Sequence, residues 1–301
     1  MTTVEKITKL KEKKNAIILA HYYVEDEIQE IADYVGDSYY LSEVATKTDA
    51  DWIIFAGVSF MGESAKILNP DKRVFMPDAK ADCAMAHMVT PEKIKEIRGK
   101  TKDLAVVCYI NSTAEIKTYS DVCVTSANAV KIVKSLPEKN IFFVPDGNLG
   151  SYVKEQVPEK NIILNDGYCP VHKVMTKEMV LKAKEKYPNA KFAVHPECIK
   201  EVVEEADYVG STSGIIQYAA KENEKEFIIG TETGVMYELK KQNPDKKFYT
   251  VMDHQVCDDM KLVSLDKILD VLEHEVNEVL VSDDVRERAM LPLKRMLELA
   301  K

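Results

Sequence analysis

The stretch Asn165-Asp166-Gly167-Tyr168-Cys169-Pro170-Val171-His172 follows a short apolar run, Ile162-Ile163-Leu164. Gly167 and Pro170 mark it as a loop held out of regular structure. Two more cysteines occupy the same kind of place: Cys83 after Val74-Phe75-Met76, and Cys257 after Tyr249-Thr250-Val251. Cys83 and Cys169 are 86 positions apart, and Cys169 and Cys257 are 88 apart. Three thiols at one period predict a repeated unit in which each copy lends one ligand to a shared centre.

Other marks recur at the same period. Ala16-Ile17-Ile18-Leu19-Ala20 reads as a buried strand ending at His21, and its counterparts end at Tyr109 and His195. Twelve residues on come Asp33-Tyr34-Val35-Gly36-Asp37-Ser38, Asp121-Val122-Cys123-Val124-Thr125-Ser126 and Asp207-Tyr208-Val209-Gly210-Ser211-Thr212. Each reads as a short strand leading through a small hydroxyl residue, a natural cap, into a helix. A strand, helix, strand unit follows in each copy. Asn69-Pro70-Asp71-Lys72 recurs as Asn243-Pro244-Asp245-Lys246, with Pro158-Glu159-Lys160 as a shorter middle version. Apolar strands alternating with helices predict an α/β fold with parallel sheets covered on both faces. The expected organisation is three repeats, 1–101, 102–189 and 190–263, followed by helices over 264–301 that pack on the array.

Composition narrows the function. A formal net charge of −9 over 301 residues argues against nucleic-acid binding. Apolar runs are of strand length only, so no membrane span is expected. The N-terminus shows no apolar leader segment. Six cysteines without a CxxC pair point to a reducing compartment, and to metal or catalysis rather than disulfides. Neither GxGxxG nor Walker A is present, which leaves NAD and ATP binding without support.

In parallel α/β units, ligands sit beyond the carboxyl ends of the strands. Three repeats about a pseudo-threefold axis would aim those ends at one central cavity. Singly, Cys83, Cys169 and Cys257 each read as an ordinary buried cysteine. Together they fit an iron–sulfur cluster with one iron lacking a protein ligand, which can act as a Lewis acid; zinc usually takes four ligands. Cys108 and Cys123 lie in apolar strands and read as core, and Cys198 carries no assigned role. Ser38, Ser126 and Thr212 precede helices, whose free N–H groups suit phosphate or carboxylate. His21, Tyr23, Tyr109, Asn111, His195 and Glu197 lie at or just past the first strand of each copy. They supply donors, acceptors and proton-transfer groups. His195-Pro196-Glu197 brings imidazole and carboxylate out of one strand end, with Glu197 as the candidate general base and His21 and His195 for anionic groups. His172 and His254 flank cluster-position cysteines and fit either a place beside the ligands or the surface.

These motifs resemble the quinolinate synthase family. The resemblance covers nearly the whole chain. It rests on Ile18-Leu19-Ala20-His21-Tyr22-Tyr23, Gly36-Asp37-Ser38, Tyr109-Ile110-Asn111-Ser112, Thr125-Ser126-Ala127-Asn128, Gly167-Tyr168-Cys169-Pro170-Val171-His172, His195-Pro196-Glu197-Cys198 and Gly210-Ser211-Thr212. It implies three αβα sandwich domains around a [4Fe-4S] cluster held by Cys83, Cys169 and Cys257. It implies a cytoplasmic transferase of NAD biosynthesis that condenses iminoaspartate with dihydroxyacetone phosphate to quinolinate, phosphate and water. It also points to a functional link with an iminoaspartate-producing enzyme. On the same resemblance Ser38, Ser126, Thr212, Tyr109, Asn111, His21 and His195 hold carboxylates and phosphate, while Tyr23 and Glu197 serve isomerisation and proton transfer.

The chain departs from the family at Tyr22, where Asn is usual, at Ala84, where Pro is common, and at His87, where Asp or Asn is usual. None of these removes a ligand or catalytic group. Two rival readings stand beside this one: a cluster-dependent hydro-lyase acting on another small acid, and a non-enzymatic iron–sulfur sensor.

Overall fold

A computed structural model describes residues 1–301. Twelve strands form three separate four-stranded sheets, and every strand pair within a sheet is parallel. The first sheet takes β1 (Ala16–His21), β2 (Tyr34–Gly36), β3 (Trp52–Ala56) and β4 (Arg73–Phe75). The second takes β5 (Leu104–Tyr109), β6 (Val122–Val124), β7 (Asn140–Val144) and β8 (Asn161–Leu164). The third takes β9 (Lys191–Val194), β10 (Tyr208–Val209), β11 (Glu226–Gly230) and β12 (Lys247–Thr250).

Strand order is the same three times: second, first, third, fourth. Such an order reverses direction between its first and third strands. The connections there leave to opposite sides and open a crevice beyond the strand ends. The inner strands β3 and β7 are buried along almost their whole length, as Trp-Ile-Ile-Phe-Ala and Asn-Ile-Phe-Phe-Val require when helices cover both faces.

The core is not divided evenly. One continuous apolar cluster runs through the first and second sheets and their helices. The third sheet instead packs its two faces into two small separate clusters. The helix Asp283–Leu299 accounts for part of this, because it packs on the helix Ser59–Leu68 of the first repeat and on β6 and its flanking helices of the second. The helix Leu265–His274 packs on the N-terminal helix Thr3–Lys13.

Between these two terminal helices the chain does something the helical reading of 264–301 did not anticipate. Residues 277–279 run antiparallel along β4: Val279 N–H donates to Val74 O (2.8 Å) and Met76 N–H to Asn277 O (3.1 Å). Arg73 pairs with Glu275 and Glu278 at this edge. The segment covers amide groups that an open sheet edge would leave unpaired.

The opening loop is also more regular than expected. Pro170 does not hold it out of structure but begins a single helical turn, Pro170–Lys173, where its missing N–H costs nothing. Gly167 lies against the end of β7, and a side chain there would sit 2.3 Å from Pro145 O. Only glycine lets that loop approach closely enough to bring Cys169 to the strand ends.

Candidate active site

All twelve residues singled out from the sequence line one cavity: His21, Tyr23, Ser38, Cys83, Tyr109, Asn111, Ser126, Cys169, His195, Glu197, Thr212 and Cys257. The cavity has an apolar wall of Val58, Phe60, Met61, Met85, Val171 and Met260. Apolar walls with a few convergent polar groups suit small molecules.

The three cysteines arrive by the same local device. Each immediately precedes a tight turn or a single helical turn, at Ala84–His87, Pro170–Lys173 and Asp258-Asp259 leading into Met260–Leu262. All six cysteines are free. Burial pushes the Cys83 thiol up to about 12 and the Cys257 thiol up to about 11. Burial, with the Glu197 charge adding to it, raises Cys169 as well. Backbone amides of Ala86 and Met85 at Cys83, of His172 at Cys169, and of Met260 and Asp259 at Cys257 pull the other way. Cys108 and Cys123 face each other across β5 and β6 in the core. Cys198 is buried against Met175 and Gly230, outside the cavity lining.

Ser38, Ser126 and Thr212 correct one expectation. They do not cap their helices. Asp37 Oδ1 accepts the Tyr40 N–H (3.0 Å) and Ser211 Oγ the Gly214 N–H (3.2 Å), so the caps lie one residue earlier. Ser38 and Thr212 are the first helical residues. In the middle copy Asn128 precedes the helix, its Oδ1 accepts the Thr125 N–H (2.7 Å), and Ser126 lies in the turn between them. A cap needs extended backbone with its oxygen over the first turn, a geometry that Asp37 and Ser211 hold. The hydroxyls at the cavity are therefore not spent on capping.

His21 and His195 are held alike. His21 Nδ1 accepts the Tyr23 N–H (3.2 Å) and His195 Nδ1 accepts the Glu197 N–H (3.3 Å). An accepting Nδ1 leaves Nε2 as the N–H donor of a neutral ring. Burial favours that neutral form, lowering His21 to about 3 and His195 to about 4 against the pull of Glu197.

Glu197 is buried and doubly bound. Tyr109 donates its O–H to Oε1 (2.6 Å) and His172 Nδ1 donates to Oε2 (2.8 Å). Burial alone would raise this carboxyl, but the imidazoles of His195 and His172 and the two hydrogen bonds outweigh it and hold Glu197 below its ordinary value. Burial and the same negative charge keep the Tyr23 and Tyr109 phenols protonated. Two buried acceptors at the cavity, Asn111 Oδ1 and Thr125 Oγ1, have no protein partner. Buried polar atoms of native proteins are rarely left so, and a ligand's donor groups would complete them.

Sequence reading left His172 between a place beside the ligands and the surface. It is buried at the centre of the site, whereas His254 is exposed. The sulfur of Cys169, a ring nitrogen of His172 and a carboxylate oxygen of Glu197 lie within 4.8 Å of one another, a donor set able to hold a metal ion. Its spacing was the available signal, since three residues on from Cys169 is one helical turn back over the sulfur. Also missed were the ends of the third strands: Val58 after β3, Asp146 after β7, and Thr231 with Glu232 after β11. Asp146 and Glu232 are both carboxylates two residues past their strands, but Val58 at the same place in the first copy is apolar, so no letter repeated through all three copies marked them.

Comparison with known proteins agrees with this geometry. A family model described as Quinolinate synthetase A protein matches residues 5–298. A quinolinate synthase of Fusobacterium nucleatum is 57% identical over 296 residues, covering 98% of this chain and 99% of the relative. Those of a Sulfurihydrogenibium species and of Clostridioides difficile are 52% and 51% identical, covering 99% and 98% of this chain and 98% and 97% of theirs. With three four-stranded parallel sheets, a match over nearly its full length and relatives above half identity, the chain belongs to the quinolinate synthase family.

Proposed function

We propose that this chain condenses iminoaspartate with dihydroxyacetone phosphate to quinolinate, releasing phosphate and water, in a cavity where Cys83, Cys169 and Cys257 hold a [4Fe-4S] cluster. The donor set fits the cluster. Three free thiols come from three repeats, and backbone amides face each sulfur. Burial without a cation keeps them protonated, so binding metal would replace three protons. Three sulfurs leave one iron without a protein ligand, which supplies a Lewis acid for the dehydration steps.

The protein groups divide the remaining work. His21 and His195 present Nε2–H donors to carboxylates. Ser38 and Thr212 at helix starts, and Ser126 in the turn before one, mark places suited to phosphate and carboxylate. Asn111 Oδ1 is free to accept. Glu197 takes a proton on the carboxylate that His172 and Tyr109 keep ionised, with the protonated phenols of Tyr109 and Tyr23 in the same hydrogen-bonded chain. The apolar wall limits water around the imine, which hydrolyses in bulk solvent. That lability favours supply by a nearby iminoaspartate-producing enzyme. The repeats are assigned as 1–101, 102–189 and 190–263, with 264–301 packed on the first two. No helix is long and apolar enough to cross a membrane, and we place the chain in the cytoplasm because the thiols and cluster require reducing conditions.

The observation that carries this reading is the convergence of one cysteine per repeat with Glu197 and its partners on a single cavity. The test is a stoichiometry. Anaerobically reconstituted protein given both substrates forms quinolinate and phosphate in equal amounts, and neither forms when one substrate is withheld. Dehydration of a single acid without phosphate release would make it a hydro-lyase instead. A bound cluster with no turnover at all would make it a sensor.

A further inference from the structure

We propose that Thr231, which lies behind the cavity and does not line it, is a positioning residue that fixes the Tyr23 phenol and the His172 ring through one hydroxyl. The inference rests on the proposed reaction and adds a residue to it. Thr231 is fully buried just past β11. Its Oγ1 lies 2.7 Å from the Tyr23 hydroxyl and 2.9 Å from His172 Nε2. Tyr23 in turn lies 2.8 Å from Thr212 Oγ1, and His172 reaches Glu197 and so Tyr109. A single chain of hydrogen bonds therefore runs Thr212, Tyr23, Thr231, His172, Glu197, Tyr109, crossing all three repeats.

The chain has a direction. Glu197 as a carboxylate only accepts, so His172 Nδ1, which also lies 3.2 Å from Cys169 Sγ, donates to it, and a neutral His172 ring accepts at Nε2. The Thr231 O–H must then point to Nε2. That leaves the Thr231 oxygen to accept from the Tyr23 O–H, and Tyr23 to accept from Thr212. Each hydroxyl has one hydrogen, so orientation at Glu197 is passed to Tyr23 through Thr231.

The backbone around Tyr23 is secured separately, which isolates the hydroxyl's part. Lys261 Nζ donates to Tyr23 O (2.8 Å) and pairs with the buried Glu232 (3.3 Å). Gly234 packs so tightly on Tyr22 and Tyr23 that a Cβ would lie 2.6 Å from Tyr22 O. Removing the Thr231 hydroxyl thus leaves Tyr23 in place and frees only its ring and that of His172.

The test compares Thr231→Val, which keeps the shape, with Thr231→Ser, which keeps the hydroxyl. For Thr231→Val we expect kcat to fall about 10- to 100-fold, as for a small misplacement of reacting groups, with KM within about threefold and iron content as in the parent. Thr231→Ser should recover kcat to within about threefold. Crystal structures of the two variants give a readout free of activity: the Tyr23 or His172 ring turns in the Val variant and keeps its pose in the Ser variant. Parental kcat in Thr231→Val, equal damage from Ser, or unmoved rings in the Val variant would overturn the proposal. Failure of the parent to make quinolinate would instead count against the proposed reaction, and the ring poses would still decide the role of Thr231.

Discussion

The two ends of the strands treat the threefold repeat in opposite ways. At the amino ends, Asp33, Asp121 and Asp207 make the same bonds three times. Each carboxylate accepts a strand N–H, from Ile18 (2.8 Å), Val106 (2.7 Å) and Phe192 (2.8 Å). Each backbone N–H returns to the carbonyl of that same residue (2.9 to 3.0 Å). Each also has a cation beside it, Lys11, Arg98 or Lys191. At the carboxyl ends the matching positions read His21, Tyr109, His195, and two residues on Tyr23, Asn111, Glu197. Where the repeat needs one bond in every copy, one residue type serves. At the cavity the copies vary: imidazole, phenol and imidazole at one position, and phenol, amide and carboxylate two residues on. The cysteines are identical in all three copies, which a cluster with three equivalent corners would require.

Breaking the carboxyl end should cost activity and spare the fold. Glu197→Gln is expected to lower kcat about 10²- to 10⁴-fold with iron content unchanged, measured by quinolinate formation against iron per chain. The amino end should behave in reverse. Asp207→Ala strips the partner from the Phe192 N–H and should cost about 1–3 kcal/mol, read from thermal unfolding, with kcat preserved. A loss of kcat as large as that of Glu197→Gln would erase the distinction between the two ends. Asp207 also sets a pH dependence. Burial would raise its carboxyl, but the Phe192 N–H and Lys191 hold it below its ordinary value. A depressed carboxyl stabilises the fold above its unfolded value of about 3.9. The stability gap between parent and Asp207→Ala should therefore be full near neutrality and narrow as pH falls through the lower folded value. The smallest effect is expected at a third repeated device. Lys72, Lys160 and Lys246 donate to backbone carbonyls at or just past the ends of the helices Ser38–Lys47, Ala129–Ser135 and Thr212–Lys221. Lys246→Met should cost about 0.3–1 kcal/mol and leave turnover alone.

This contrast explains what could be read in advance. The sheets, their parallel sense and the cysteine set were legible because they rest on repeated letters: apolar runs, Asp marks, Asn-Pro-Asp-Lys and three cysteines at one period. Helix caps were misplaced by one residue because Asp37 and Ser38, or Ser211 and Thr212, are both competent cap types, and only backbone angles choose between them. Thr231 escaped, and His172 was left undecided between the ligands and the surface, because their contacts depend on packing between repeats. The hydroxyl of Thr231 meets Tyr23 only after 208 residues of intervening chain fold back. The strand-like pairing of 277–279 along β4 likewise answers a need of the sheet edge that no local pattern in those residues announces.

The most direct test of the central claim is iron and acid-labile sulfide per chain in anaerobically reconstituted protein. The parent should be brown and carry about four of each, as should the core variant Cys108→Ala. Cys83→Ala, Cys169→Ala and Cys257→Ala should each fall well short. A colourless parent that resists reconstitution, or a Cys108→Ala variant that loses as much iron as the other three, would contradict it.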